Sequence, residues 1–181
     1  MDSPPELAES AAILTRSSRP HASWHVLHTL SRQEKSLSRD LLAMNVAHYV
    51  PLVRHIRYYG KRKAVVEEPL FPGYVFLLGS LDEAYVADRT KRVANIIKVN
   101  DQDRMEWELR NLQLALGRNA TLNPFPHLRK GLRVHIRSGP FQGIEGLIED
   151  RTRNNRVLLQ VDVLGRAVGL EVDGARLDVI D

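Results

Sequence analysis

The chain has 181 residues, 43% hydrophobic and 27% charged, which is typical of a globular protein of one or two domains with no apolar run near the roughly 20 residues that cross a bilayer. It contains no cysteine, which excludes disulfides, thiolate metal sites and a thiol nucleophile. The net charge of +4 is too small to indicate a partner, but the excess lies in residues 24–79, where eight basic residues outnumber four acidic ones.

Residues 1–23 predict a disordered tail, because they are rich in proline and serine and show no sustained periodicity. Order is expected to begin at Trp24 with a short apolar strand over 24–29. Ser31 and Glu34 then have the spacing of a capping box at a helix start. The apolar face of this predicted helix is formed by Leu37, Leu41 and Met44.

The next elements alternate between strands and helices. A polar turn at 60–63 separates two segments rich in β-forming residues and predicts a hairpin, and an apolar run predicts a central strand. Asp103 and Gly117 have the residue types of a helix start and stop. The order predicts an α+β sandwich with a mainly antiparallel sheet. The predicted segments are 49–59, 64–68, 74–78, the short helix 83–90, 95–99 and the helix 103–117.

The pattern changes after residue 117. Asn119, Asn123, Pro124 and Pro126 interrupt any periodicity, so residues 118–128 predict a linker. Five short strands separated by turn residues follow, which predicts a small five-stranded, SH3-like β-barrel. The predicted organisation is therefore a tail at 1–23, an α+β domain at 24–117, a linker at 118–128 and a barrel at 129–181.

The predicted hairpin carries a run of basic residues interleaved with tyrosines, and residues 52–66 contain no acid. Cations can neutralise phosphates and aromatic rings can stack on bases, so the run is a candidate nucleic-acid surface. A solvated hairpin tip explains the same pattern, and the residues alone do not decide between them. The candidates are Arg54, Arg57, Lys61, Arg62 and Lys63.

Pro69 and Pro72 flank the apolar pair Leu70 and Phe71, directly before the predicted central strand. Each proline fixes the local backbone, so the pair is expected in a rigid, extended connection. Phe71 either presents a docking surface or fills the core of its own domain, and both interpretations stay open at this point.

Catalytic patterns are weak. The seven histidines are scattered, and His25 and His28 are expected to face opposite sides of a strand, which suits no shared metal. The sequence has neither a phosphate-binding loop nor a nucleophile elbow. We expect a protein that is not an enzyme and that holds no metal or cofactor.

Two segments resemble known motifs. The runs Trp24–Thr29, Arg32–Glu34 and Glu68–Phe76 are similar to the NusG N-terminal (NGN) domain. The segment around Gly139, Pro140 and Phe141 is similar to the KOW motif, and residues 164–172 to the second half of a NusG KOW domain. The two motifs in this order resemble the NusG family and its RfaH-like members.

The resemblance implies a cytoplasmic, monomeric transcription elongation or antitermination factor, with a specialised paralogue favoured over the general factor. In that family the NGN domain docks on the clamp helices of the largest catalytic subunit of RNA polymerase, near upstream and non-template DNA, and suppresses pausing. The KOW domain recruits the ribosomal protein NusE or the termination factor Rho. Carried over by position, the polymerase-binding residues are Phe71, Pro72, His28 and Tyr49, and the KOW partner-binding residues are Phe141, Val163 and Leu164.

The alternative function is a ribosome-associated or RNA-binding KOW protein that does not bind polymerase, since KOW motifs also occur in ribosomal proteins. It would keep RNA binding when the polymerase-binding residues are replaced.

Overall fold

The computed structural model describes residues 13–125, 131–148 and 156–180. Its helices are α1 (Glu34–Ala43), α2 (Leu81–Asp88) and α3 (Gln102–Gly117). Its strands are β1 (Ser23–Thr29), β2 (His48–Tyr49), β3 (Leu52–Tyr59), β4 (Arg62–Pro69), β5 (Tyr74–Gly79), β6 (Val93–Lys98), β7 (Leu122–Phe125), β8 (Leu132–Ile136), β9 (Glu145–Ile148), β10 (Arg156–Val161), β11 (Arg166–Glu171) and β12 (Leu177–Val179). In these ranges no helix combines the length and apolar character that crossing a membrane requires.

The N-terminal sheet has the strand order β2-β5-β1-β6, with β1 antiparallel to both β5 and β6. Side chains alternate between its two faces. Trp24, Val26 and Phe76 belong to one apolar cluster together with α3, whereas Leu27 and Val75 belong to a second cluster together with α1. The predicted α+β sandwich with a mainly antiparallel sheet is confirmed.

Strands β3 and β4 form a separate two-stranded hairpin that projects from this sandwich. Their register pairs Leu52 with Pro69 at the base and Tyr59 with Arg62 at the tip. Gly60 has a φ of 61° in the turn, a conformation that glycine adopts without steric cost.

The C-terminal sheet has six strands in the order β12-β8-β9-β10-β11-β7, and each pair is antiparallel. Five of them match the five strands predicted from the sequence. The sixth, β7, lies inside the segment predicted as a linker, so that prediction is wrong for residues 122–125. Pro124 lacks a backbone donor, but β7 is an edge strand and pairs with β11 alone, where a missing donor is tolerated.

The prediction of a disordered tail is wrong for residues 13–23. A 3₁₀ turn at Arg16–Ser18 precedes β1, and the segment is bonded to α3. The backbone N–H of Leu14 donates to Gln113 Oε1 at 3.1 Å, and that of Arg16 donates to Glu106 Oε2 at 2.7 Å. Residues 1–12 lie outside the described residues.

Two local predictions at α1 are also wrong. Ser31 and Glu34 form no capping box, because Glu34 is buried and its Oε1 accepts instead from the backbone N–H of Gly73 at 2.6 Å. Met44 is exposed rather than part of the buried face. The helix ends at Ala43, and Asn45, two residues further on, has a φ of 55°. The sequence also placed the start of α3 at Asp103, whereas Asp101 caps it by accepting from the backbone N–H of Arg104.

Candidate interaction surfaces

The hairpin separates its cations into two groups. Arg54 Nε donates to Glu67 Oε1 at 2.9 Å, and the Arg57 guanidinium pairs with Glu68. These carboxylates lie beyond the acid-free run in sequence, but the strand register brings them beside it. Two of the five predicted nucleic-acid-binding cations are therefore already neutralised.

The remaining three cations, Lys61, Arg62 and Lys63, lie at the exposed hairpin tip and form no ion pair within the described residues. Tyr58 and Tyr59 beside them are 71% and 62% exposed. The register pairs Tyr58 with Lys63 and Tyr59 with Arg62, so each face of the tip carries one ring and one cation. This arrangement suits phosphate contact combined with stacking.

The four predicted polymerase-binding residues surround the start of β5. His28 is exposed at the end of β1, and its ring stacks on Tyr74 with 5.1 Å between centroids. Pro72 is exposed, and Gly73 beside it has a φ of 90° that fixes the turn into β5. Tyr49 is half-buried on β2, and burial raises the pKa of its hydroxyl above the usual range.

Phe71 differs from these neighbours because it is only 2% exposed. It belongs to the apolar cluster that contains Trp24 and Phe76 of the N-terminal sheet and also the core of the C-terminal sheet. The structure thus places Phe71 inside the molecule, and a partner reaches it only after the surrounding groups move.

Helix α3 contacts the C-terminal sheet through polar side chains. Trp107 Nε1 donates to Glu145 Oε2 at 2.7 Å, and the backbone N–H of Glu145 donates to Asn111 Oδ1 at 2.8 Å. The Arg133 guanidinium lies 4.8 Å from the centre of the Trp107 ring and 3.2 Å from the Glu145 carboxylate. We call these residues, together with Arg104, Glu108 and Asp162, the α3 interface.

Glu108 is the buried acid of this interface and is 3% exposed. Its Oε2 accepts from the backbone N–H of Asp162 at 3.0 Å, and its Oε1 accepts from Arg104 Nε at 3.1 Å. Arg104 also pairs with the Asp162 carboxylate at 3.2 Å. Burial raises the pKa of Glu108 to about 7, although both hydrogen bonds favour the charged form.

The predicted KOW partner-binding residues are divided between two places. Val163 and Leu164 lie in the 3₁₀ turn that follows β10, where both are half-buried and pack against the cluster that contains Phe71. Arg166, two residues further on, places its guanidinium 5.5 Å from the centre of the Tyr74 ring. Phe141 lines a separate cavity of about 210 Å³ on the C-terminal sheet.

The described residues hold no group of three or more His, Cys, Asp or Glu side chains that could bind a metal ion. His28 is exposed and His25 is half-buried. Burial lowers the pKa of His25.

Sequence reasoning missed the α3 interface. The one available signal was the position of Glu108, which lies three residues after Met105 and four before Leu112 on the buried face of α3. A carboxylate on such a face needs donors from another element. Nothing in the sequence indicated that Asp162 would supply one.

The geometry therefore defines a class of protein: a three-helix α+β unit with a projecting basic hairpin, joined to an antiparallel C-terminal sheet, with surfaces suited to macromolecules. The family model described as "Transcription termination factor nusG" matches residues 22–110. The "Transcription termination/antitermination protein NusG" of Borreliella burgdorferi is 25% identical over 87% of this chain and 98% of its own length. The protein of the same name from Lactococcus lactis is 28% identical over 87% of this chain and 92% of its own length.

A solved structure titled "Domain interaction in Thermotoga maritima NusG" is 22% identical, covers 88% of this chain and 98% of its own, and superposes with a TM-score of 0.41. The family model and the curated relatives thus make this chain similar to NusG proteins, through residues 22–110 for the model and over most of the chain for the relatives.

Proposed function

We propose that this chain is a transcription termination/antitermination factor that acts on RNA polymerase. The observation that carries the proposal is the family match over residues 22–110, since this range contains all four predicted polymerase-binding residues and the whole basic hairpin. The similarity of the NusG relatives extends over nearly their full length, which supports a factor with both an N-terminal and a C-terminal part.

In this proposal the N-terminal part docks on the clamp helices of the polymerase through the apolar surface around Phe71, and thereby suppresses pausing. The exposed positions His28 and Pro72 border that surface. The free cations Lys61, Arg62 and Lys63 supply a salt-sensitive contact with upstream or non-template DNA. The C-terminal sheet recruits NusE or Rho through Val163, Leu164 and Phe141. In this proposal the chain acts as a specialised paralogue rather than as the general factor.

Docking through Phe71, Val163 or Leu164 requires a rearrangement, because these side chains share one apolar cluster. The two proposed binding surfaces are therefore expected to become accessible together, when the C-terminal sheet leaves α3 and the N-terminal sheet.

Binding of the purified chain to core RNA polymerase tests the proposal. The double variant His28→Ala/Pro72→Ala changes two exposed positions, so the fold is expected to persist and the affinity to fall at least about tenfold. Leu42→Ala is the matched control, since Leu42 is 73% exposed on α1 and lies outside the proposed surface. Failure of the unaltered chain to bind polymerase, with RNA or ribosomes bound instead, would favour the alternative function of an RNA-binding KOW protein.

A further inference from the structure

The α3 interface places one buried carboxyl group between two parts of the chain that have separate sheets. Glu108 is held by Arg104 from its own helix and by the backbone N–H of Asp162 from the C-terminal part. If the two parts separated, Glu108 would lose the Asp162 donor and become hydrated. Its environment therefore differs between the docked and the separated arrangement.

Several charged groups face this carboxyl group. Arg104 lies on α3 itself, and Asp162 approaches from the C-terminal part. A cavity of about 200 Å³ adjoins Glu108 and is also lined by Lys98 and Asp101 from the segment that leads into α3. Two cations and two anions thus lie around Glu108, and burial of the carboxylate is the largest single influence on its pKa.

We propose that Glu108 is a proton-sensitive latch, which favours docking of the C-terminal part on α3 when its carboxyl group is protonated and weakens docking when it is ionised. Protonation keeps one carboxyl oxygen as an acceptor for the Asp162 N–H and removes the buried negative charge beside the Asp162 carboxylate. The latch concerns the contact within this chain and does not depend on what the chain binds.

The sign follows from proton linkage. Burial raises the pKa of Glu108 to about 7 in the docked arrangement, from an ordinary value of 4.5 when the group is exposed. The docked form therefore takes up a proton between these pH values and is favoured most below them. This advantage is lost as the pH rises through 7. The ratio of docked to separated molecules is expected to fall by about two orders of magnitude between pH 5 and pH 8.

The experiment exploits the absence of cysteine. Cysteines introduced at the exposed positions Leu42 and Val179 accept a pair of pH-insensitive fluorophores, and energy transfer in the full chain is followed from pH 5 to pH 8. Transfer is expected to change with a midpoint near pH 7. Glu108→Gln, a neutral analogue of the protonated side chain, is expected to give a pH-independent signal at the docked level.

Glu106→Gln is the matched control, because Glu106 lies on the same helix but contacts Arg16 and Trp24 within the N-terminal part. Its profile is expected to follow that of the unaltered chain. The proposal is overturned if Glu108→Gln keeps the original pH profile. It is also overturned if Glu108→Gln is separated at every pH, since the ionised carboxylate would then hold the interface together.

If docking is so strong that the distance between the two fluorophores does not change with pH, amide hydrogen exchange tests the proposal instead. The backbone N–H of Glu145 donates across the interface to Asn111 and reports rare separations. Its protection, corrected for intrinsic exchange, is expected to fall about two orders of magnitude between pH 5 and pH 8, and to stay constant in Glu108→Gln. Constant protection in the unaltered chain would overturn the proposal.

Discussion

Phe71 contributes its ring to the apolar interior, and this burial determines what a substitution there reports. Phe71→Ala is expected to lower the free energy of unfolding by about 3–5 kcal/mol, because it removes a large buried side chain and leaves a cavity. Urea denaturation measures the change. Tyr58→Ala, at a side chain that is 71% exposed, is expected to change it by less than about 0.5 kcal/mol. A loss below about 1 kcal/mol for Phe71→Ala would contradict its placement in the core.

Single residues also show where sequence patterns mislead. Ser31 and Glu34 have capping-box spacing, yet Glu34 accepts from Gly73, which is 39 residues away in the chain. A local motif predicts a local partner, whereas a buried carboxylate bonds to whichever donor the fold brings near. At α2 the same spacing does form a capping box, between Ser80 and Glu83, because both groups lie at the surface.

The role of the hairpin formed by β3 and β4 in nucleic-acid binding can be tested by removing the positive charges at its tip. Replacing Lys61, Arg62 and Lys63 with alanine removes cations that have no ion-pair partner in the described structure, so up to three phosphate contacts are lost. Affinity for single-stranded DNA is expected to fall, and the slope of log affinity against log salt concentration to decrease by about 2. Fluorescence anisotropy at several salt concentrations measures both.

A charge-matched triple replacement of Arg39, Arg89 and Lys91 controls for net charge, since these exposed cations lie outside the hairpin. An equal change in slope for both triple variants would show that the hairpin acts only through total charge. Nucleic-acid binding at the tip would then be rejected.

Among the elements, long periodic ones were predictable and β7 was not. The apolar spacing of Met105, Leu109 and Leu112 indicated α3 to within two residues at its start. In contrast, Pro124 and Asn123 argued against a strand, because a proline inside a sheet cannot donate a backbone hydrogen bond to the neighbouring strand. Partnership with β11 at the sheet edge compensates for this, and no local pattern reveals such a partnership.

At the scale of the whole molecule, the α3 interface is expected to limit access to the proposed docking surface. Glu145→Ala removes the acceptor for Trp107 Nε1 and the ion-pair partner of Arg133, which weakens the interface by roughly 1 kcal/mol. Because only separated molecules expose the surface around Phe71, affinity for core RNA polymerase is expected to rise about fivefold. Titration binding assays measure this change.

Glu171→Ala is the matched control, since Glu171 is exposed and pairs with Arg156 inside the C-terminal sheet. If Glu145→Ala separates the two parts, as judged by energy transfer, but leaves the polymerase affinity unchanged, then the covered surface is not where polymerase docks.

The arrangement of the two parts was beyond what the sequence could predict. Both sheets follow from alternation and turn residues, because each is specified by its own strands. Contact between them combines a shared apolar cluster with single polar pairs such as Trp107 with Glu145, 38 residues apart, which carry no periodic signal. The polymerase-binding and partner-binding residues were therefore predicted as separate sites, although the structure brings several of them into one apolar cluster.

The position of β7 in the C-terminal sheet sets the length of the tether between the two parts. Only residues 118–121 separate the end of α3 from β7, and a chain from residue 117 to residue 122 spans at most about 17 Å. Release of β7 from β11 would extend the tether to residue 132, a span of about 50 Å. The pairing of one four-residue strand thus controls the search radius of the C-terminal part, and with it the effective concentration at which that part meets α3 again.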